Sequence, residues 1–206
     1  MKKICVIDYG INNISSICKA LKKINEDYVV VSEKDQIKNF SNIILPGVGS
    51  FDSGMNVMKK KGFDISLKKA ASKGQFILGI CLGMQLLFNK SEESIENING
   101  LNIIKGIVSK IKSDNFNNIH VPHIGWNSIF ESNTNDINLL KKEEKKDFYF
   151  VNSYYVIPEN KDIIKYYFKH GKNYPAIIKD KNVIATQFHP EKSTNGLAIL
   201  KKFCRF

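Results

Sequence analysis

The segment Gly79-Ile80-Cys81-Leu82-Gly83 constrains this chain more tightly than any other stretch of its sequence. It closes the apolar run Phe76, Ile77, Leu78, Ile80 with a cysteine near the turn between two glycines, and a helical pattern begins at once with Met84, Leu86 and Leu87. A strand that turns sharply into a helix holds its central residue in a strained backbone conformation, and small neighbours are needed so that nothing crowds the tip. The start of the helix aims unpaired N–H groups and its positive end at that tip, which favours a thiolate and offers donors to an oxyanion. A cysteine in an apolar run is otherwise read as a small core hydrophobe. The two glycines and the change of period at Cys81 point instead to a presented nucleophile.

A cysteine nucleophile needs a base. Of the four histidines, His120, His123, His170 and His189, the last stands out. Thr186-Gln187-Phe188-His189-Pro190-Glu191 follows the apolar run Val183, Ile184, Ala185, so His189 falls where a strand ends. Pro190 forces an irregular turn there, which can return Glu191 to the imidazole. The expected triad is Cys81 as nucleophile, His189 as proton carrier and Glu191 as the carboxylate that sets the imidazole tautomer and steadies its charge. Spacing alone also fits a surface-loop histidine. Pro46-Gly47-Val48-Gly49 marks another strand end, where two glycines permit a peptide flip. The N–H groups of Val48 and Gly49, with that of Leu82, are candidates for an oxyanion hole, and a plain loop is the alternative. Gln85, one turn into the helix after Cys81, faces the same pocket by helical periodicity.

Together, Pro46-Gly47-Val48-Gly49, Gly79-Ile80-Cys81-Leu82-Gly83-Met84-Gln85-Leu86-Leu87 and Gln187-Phe188-His189-Pro190-Glu191-Lys192-Ser193 resemble the class I (triad) glutamine amidotransferases. Pro122-His123-Ile124-Gly125-Trp126-Asn127 and Phe148-Tyr149-Phe150-Val151-Asn152-Ser153-Tyr154 resemble one branch of that family, the glutaminase subunits of imidazole glycerol phosphate synthase. The resemblance runs from Ile7-Asp8-Tyr9-Gly10 to the terminal helix. It implies hydrolysis of L-glutamine to glutamate and ammonia through a glutamyl thioester on Cys81. The ammonia would pass to a separate cyclase subunit, a β/α barrel joined to this chain as a heterodimer, which makes imidazole glycerol phosphate and AICAR from PRFAR in histidine biosynthesis. By the same resemblance Gly47, Gln85, Ser153 and Tyr154 hold glutamine. Asn13, Pro122, His123, Trp126, Tyr149 and Lys192 would form the docking face. Trp126, the only tryptophan, also fits a core anchor. No cofactor or metal is implied.

Length agrees with one glutaminase domain over residues 1–206, since a chain of this size buries about 70% of its unfolded surface and no repeat or long linker divides it. Met1-Lys2-Lys3 leads straight into a short strand, and no apolar run approaches a membrane span, so a soluble, cytoplasmic protein is expected. Cys5, Cys18, Cys81 and Cys204 lack metal-ligand spacing, and neither disulfides nor zinc is indicated. The formal charge of +11 suggests nucleic acid, but the lysines are scattered, as in Lys59-Lys60-Lys61, with no aromatic-interleaved basic stripe. Solvated helix faces account for them better, and a basic rim facing an acidic partner is the alternative.

Strands are predicted at 3–8, 28–32, 43–45 and 76–80, with helices at 13–24, 55–60 and 64–72 between them. This alternation implies the α/β fold of the family: a doubly wound, mostly parallel central sheet flanked by helices, with ligands at the carboxyl ends of the strands. From Ile107 onward the pattern becomes short-stranded and mixed, with extended pieces at 107–111, 126–129, 148–151, 164–168, 176–179 and 183–187, then a closing helix at 195–203.

Two positions depart from the resemblance. Asn12 stands where the family usually has Gly, and is expected to tolerate a left-handed backbone. Asn152 stands where the family usually has His, beside the expected glutamine-binding residues. The favoured function is the synthase glutaminase. A paralogue that feeds ammonia to a different synthase, such as one that amidinates a surface sugar, is the alternative. A non-catalytic regulatory relative conflicts with the intact Cys81, His189 and Glu191. A peptidase or glutamyl hydrolase on the same scaffold fits the motifs around Trp126 and Tyr149 less well.

Overall fold

A computed structural model describes residues 3–114, 116, 119–133, 137, 139–140 and 147–206. In chain order the first half runs β1 (Ile4–Ile7), α1 (Ile14–Lys23), β2 (Tyr28–Val31), β3 (Asn42–Gly47), α2 (Phe51–Lys60), α3 (Phe63–Ser72), β4 (Phe76–Cys81) and α4 (Leu82–Leu86). The second half runs β5 (Lys90–Ser91), β6 (Gly106–Lys110), β7 (His123–Glu131), β8 (Asp147–Asn152), β9 (Tyr154–Pro158), β10 (Ile164–His170), β11 (Lys172–Asp180), β12 (Val183–Thr186) and α5 (Thr194–Phe203). Among the described residues a nine-stranded sheet has the order β2-β1-β3-β4-β12-β11-β10-β7-β8, and β5-β6-β9 form a smaller sheet. The first five strands are parallel neighbours and the rest continue antiparallel.

Alternation decides how the parallel part is covered. Cys5, Ile7, Ile43, Leu45 and Ile77 face one layer, where Met55 and Met58 of α2 and Phe63 and Leu67 of α3 pack. Ile4, Val6, Ile44, Leu78 and Ile80 face the other, against Ile17 and Leu21 of α1 and Ile199, Leu200 and Phe203 of α5. A strand buried on both faces must be apolar at every position, which is why these segments read as unbroken hydrophobic runs. The chain crosses from β2 to β3 over β1, so a crevice opens at the carboxyl ends beside that switch, where the family's sheet type binds ligands.

The doubly wound parallel half and the short-stranded mixed half match expectation, with differences at α2, β7 and β9 among others. Helix α2 begins at Phe51, earlier than the helical period suggests. Ser50 caps it by accepting from the N–H of Ser53, and Gly54 sits in its second turn because a Cβ there would lie 3.2 Å from Leu82 and Leu86. Strand β7 begins at His123, and the non-repeating His123-Ile124-Gly125 stretch hides it, with Gly125 at φ +138°. Strand β9 was not expected at all. It pairs with β6 outside the main sheet, a long-range choice that no local pattern encodes.

A close contact that fixes this layout is at Gly83, where an added Cβ would stand 2.0 Å from the carbonyl oxygen of Leu45 in β3. Gly83→Ala therefore must push α4 off β3, and thermal or denaturant unfolding should show a loss of about 3 kcal/mol or more. Gly74→Ala is the control, because its Cβ would meet nothing within 4 Å and only its φ of +79° resists, at a cost of about 1 kcal/mol.

Candidate active site

Cys81 ends β4 at φ 54° and ψ −111°, a strained combination for a residue with a side chain. The glycines around it explain how the turn is tolerated. A Cβ at Gly79 would lie 2.9 Å from the carbonyl oxygen of Gly83 and from Leu87, and one at Gly47 would lie 2.8 Å from the amide nitrogen of Gly83 and from the Tyr9 hydroxyl. Strand, turn and helix are thus pressed together, and the thiol is left at the edge of a cavity with 7% of its residue exposed. Helix α4 has only five residues, so its contribution at Cys81 comes from the unpaired N–H groups of its first turn rather than from a long dipole.

His189 is brought to the same cavity by the sheet. Strand β12 lies beside β4 with Thr186 opposite Ile80, so the residues after Thr186 emerge next to Cys81. The His189 N–H donates to the Tyr149 carbonyl at 3.0 Å, which ties the backbone to β8. A short helical turn over Pro190–Lys192 then brings Glu191 back, and the imidazole Nδ1 donates to Glu191 Oε1 at 2.8 Å. Both side chains are buried, so Glu191 holds the ring's tautomer and leaves Nε2 for the thiol side. Burial by itself would push His189 down. The neighbouring Cys81 sulfur and the Glu191 carboxylate outweigh it, and the imidazole is raised from 6.5 to about 10. A protonated ring beside the Cys81 sulfur is the arrangement that this balance favours.

The cavity holds about 410 Å³ and is lined by Cys81, His189, Val48, Gly49, Leu82, Gln85, Ser153 and Tyr154 among others. Gly47 stands behind the wall, opposite Cys81 in the β3–β4 register. Gly49 has φ +96°, which suits a segment whose peptide can turn. Three further residues reach the site without having been singled out. Glu93 lines the cavity half-buried, accepts from the Phe51 N–H at 2.8 Å, and has its carboxyl pushed above the usual range by burial. Gln187 is fully buried with its amide nitrogen 3.9 Å from Cys81 Sγ. Val151 forms part of the rim, next to the expected docking residue Pro122. The motif around His189 contained Gln187, but only the tertiary fold turns its side chain toward the sulfur.

Each of the two unusual asparagines donates a hydrogen bond to a backbone carbonyl inside the chain. Asn12 lies outside the left-handed region, so the tolerance expected of it is not called on, and its amide donates to the Ile7 carbonyl at 3.2 Å, closing the loop after β1. Asn152 lines the cavity and donates to the Tyr154 carbonyl at 3.0 Å.

Of the expected docking residues, Asn13, Pro122, Trp126 and Lys192 are exposed and Tyr149 is half-buried. Trp126 is 60% exposed, so it is not a core anchor. The β7–β8 register sets Ile124 against Val151 and Trp126 against Tyr149, which places these four side chains on one face beside the cavity mouth. Lys192 Nζ lies 4.3 Å over the Tyr149 ring. His123 departs from expectation: it is buried, stacks on Phe168 at 5.2 Å and meets His170 at 4.4 Å, and therefore does not present its ring on that face. Burial and the His170 charge lower it to about 4, so it is neutral at physiological pH.

Because His189 is raised in the folded state, its protonation contributes stability that is complete below pH 6.5 and is lost as the pH rises through about 10. NMR titration of the ring should find it still charged at pH 8. In Cys81→Ala the largest upward influence is gone, and the ring should titrate at least about one unit lower. An unchanged titration in that variant would separate His189 from the sulfur.

Residues 5–205 match the family described as glutamine amidotransferase class-I. The subunit HisH of imidazole glycerol phosphate synthase from Prochlorococcus marinus is 40% identical over 208 residues, covering 100% of this chain and 98% of its own. The same subunit from Caldanaerobacter subterraneus is 44% identical over 200 residues, covering 96% and 95%. Among solved structures, that of PurLQS from Thermotoga maritima superposes with a TM-score of 0.73 at 21% identity, covering 100% of this chain and 99% of that one, a likeness of fold. With a cysteine elbow, a buried His–Glu pair and this similarity along its length, the chain belongs to the class I glutamine amidotransferases.

Proposed function

We propose that this chain is the glutaminase subunit of imidazole glycerol phosphate synthase in histidine biosynthesis, a single cytoplasmic domain that hydrolyses glutamine and delivers ammonia to a cyclase barrel. The observation that carries it is Cys81 on its strained turn in one cavity with a His189 ring already bound to Glu191.

Glutamine enters with its side-chain amide at Cys81. The Cys81 sulfur attacks the amide carbon, and the negative oxygen that forms is met by the Leu82 N–H at the start of α4 and by N–H groups of the Val48–Gly49 segment. The His189 imidazolium gives its proton to the departing nitrogen, the C–N bond breaks, and ammonia leaves a glutamyl thioester. Neutral His189 then takes a proton from water as that water attacks the thioester. Glutamate departs and the Cys81 thiolate is restored beside a recharged imidazolium. Glu191 stabilises the charged ring throughout and receives no proton. Gln85, Ser153 and Tyr154 line the part of the cavity that would hold the amino-acid end, and the half-buried Glu93 carboxylate is a counter-charge for its ammonium group.

The partner reading rests on the face built by Ile124, Val151, Trp126 and Tyr149. An apolar face with a tryptophan at the rim of a nucleophile's cavity suits a partner that caps the cavity and receives ammonia from it. Strand β8 also carries the carbonyl that binds the His189 backbone, so contact with this face reaches the base directly. Asn152, the feature that would favour a different ammonia acceptor, spends its amide on the Tyr154 carbonyl inside the chain and not on the docking face.

The test is reconstitution with a cyclase barrel and analysis of the product. Cys81→Ala should lower glutamine-dependent formation of imidazole glycerol phosphate at least about 10³-fold while the ammonium-dependent reaction stays within about twofold, since only the thiol cleaves the amide. Loss of both activities would assign Cys81 a shared structural role.

Glutaminase activity of the chain alone should be low and should rise when the loaded barrel binds. Trp126→Ala should weaken docking roughly 30-fold in a titration of the two subunits. Gly49→Pro should leave docking near the parent value and abolish the stimulation, because proline cannot reach φ +96° and has no N–H. A lone chain already at full rate would overturn the subunit assignment.

A further inference from the structure

A line of amides runs from the backbone to the nucleophile. The Tyr154 carbonyl accepts from Gln85 Nε2 at 3.3 Å, the same Nε2 donates to Gln187 Oε1 at 3.2 Å, and Gln187 Nε2 points at Cys81 Sγ from 3.9 Å. Its polarity is set from the far end. A backbone carbonyl only accepts, so Gln85 must turn its NH₂ toward Tyr154. The second hydrogen of that NH₂ then selects the oxygen of Gln187, and the nitrogen of Gln187 is left facing sulfur. Neither amide is free to flip without leaving a buried donor or acceptor unpaired, since Gln187 is 0% and Gln85 5% exposed.

We propose that Gln187 is a positioning residue for Cys81, a neutral donor to the sulfur whose orientation is imposed by Gln85 and the Tyr154 carbonyl. The imidazolium of His189 loses its proton to the leaving nitrogen, so from that step until His189 takes a proton from the attacking water no charged donor faces the sulfur. Gln187 cannot lose its proton and stays a donor through both halves, when sulfur attacks and again when it departs as thiolate. Its grip strengthens as charge develops on sulfur, because hydrogen bonds to charged groups are about twice as strong as neutral ones. The line also has a second consequence: Gln85 commits both hydrogens inward and presents only its oxygen to the cavity, as an acceptor.

The proposal rests on Cys81 being the nucleophile, and thiol alkylation reads that sulfur directly. The full chain is treated with iodoacetamide across a pH series, and modification of each cysteine is followed by peptide mass spectrometry. Glutaminase kcat and KM are measured in the complex with the cyclase barrel. Gln187→Glu keeps the volume, removes the donor and adds a negative charge beside the sulfur, both of which should move the Cys81 alkylation profile upward, together by about one pH unit or more, and lower kcat about tenfold with KM within about threefold. Gln85→Met does not touch the sulfur, and should move the alkylation profile in the same direction by releasing the Gln187 amide. It also serves if Gln187→Glu does not fold, since it leaves Gln187 in place. A profile that stays put in Gln85→Met overturns the relay, and one that stays put in Gln187→Glu, or a loss confined to KM, overturns the role of Gln187. A Cys81 no more reactive than Cys5 in the parent chain would instead remove the nucleophile assignment on which the proposed function stands.

Discussion

The parallel pairing of β3, β4 and β12 is the constraint on which the site depends. Gly47 stands opposite Cys81 in one ladder and Thr186 opposite Ile80 in the other, so three chain segments far apart in sequence end at one level. A slip of one residue in either ladder would turn every side chain of that strand to the opposite layer, away from helices that bury it. The apolar runs that cover both faces of the sheet therefore hold more than the core. They hold Cys81 on its elbow, the Val48–Gly49 segment and His189 at fixed distances from one another.

Within that frame, packing and electrostatics oppose each other at Cys81 and His189. Burial disfavours a charged imidazole, and a charged imidazole is what the proposed release of ammonia needs. Glu191 and the sulfur reverse the balance and hold the ring well above its ordinary value. Two other cysteines show what burial does to a thiol: Cys5 is pushed up to about 12 by burial, and Cys204 to about 12 by burial with Glu26 adding to it, which makes both poor nucleophiles.

The antiparallel extension of the sheet gives the site its second connection. Strands β7 and β8 carry an apolar outer face and, through the Tyr149 carbonyl, hold the backbone of His189. Lys192, next to the catalytic turn, lies over the Tyr149 ring. Events on this face and events at the imidazole share the same short piece of chain, which is the physical requirement for one to influence the other.

Much of this was legible in the residues. Glycines flanking a cysteine at a change from strand to helix period specify an elbow, because no other residue survives the contacts that Gly79 and Gly83 make. A proline after His189 specifies a turn, and the carboxylate two residues on is then within reach of the ring. Those are local matters, and local sequence determines them. Tertiary structure alone decided the rest. It buried His123 behind the face its motif seemed to occupy and left Trp126 exposed. It also drew β9 into a separate sheet so that the Tyr154 carbonyl could orient Gln85 and Gln187. Each of these depends on a partner distant in the chain, and a sequence read along its length carries the donors and acceptors but not the pairing between them.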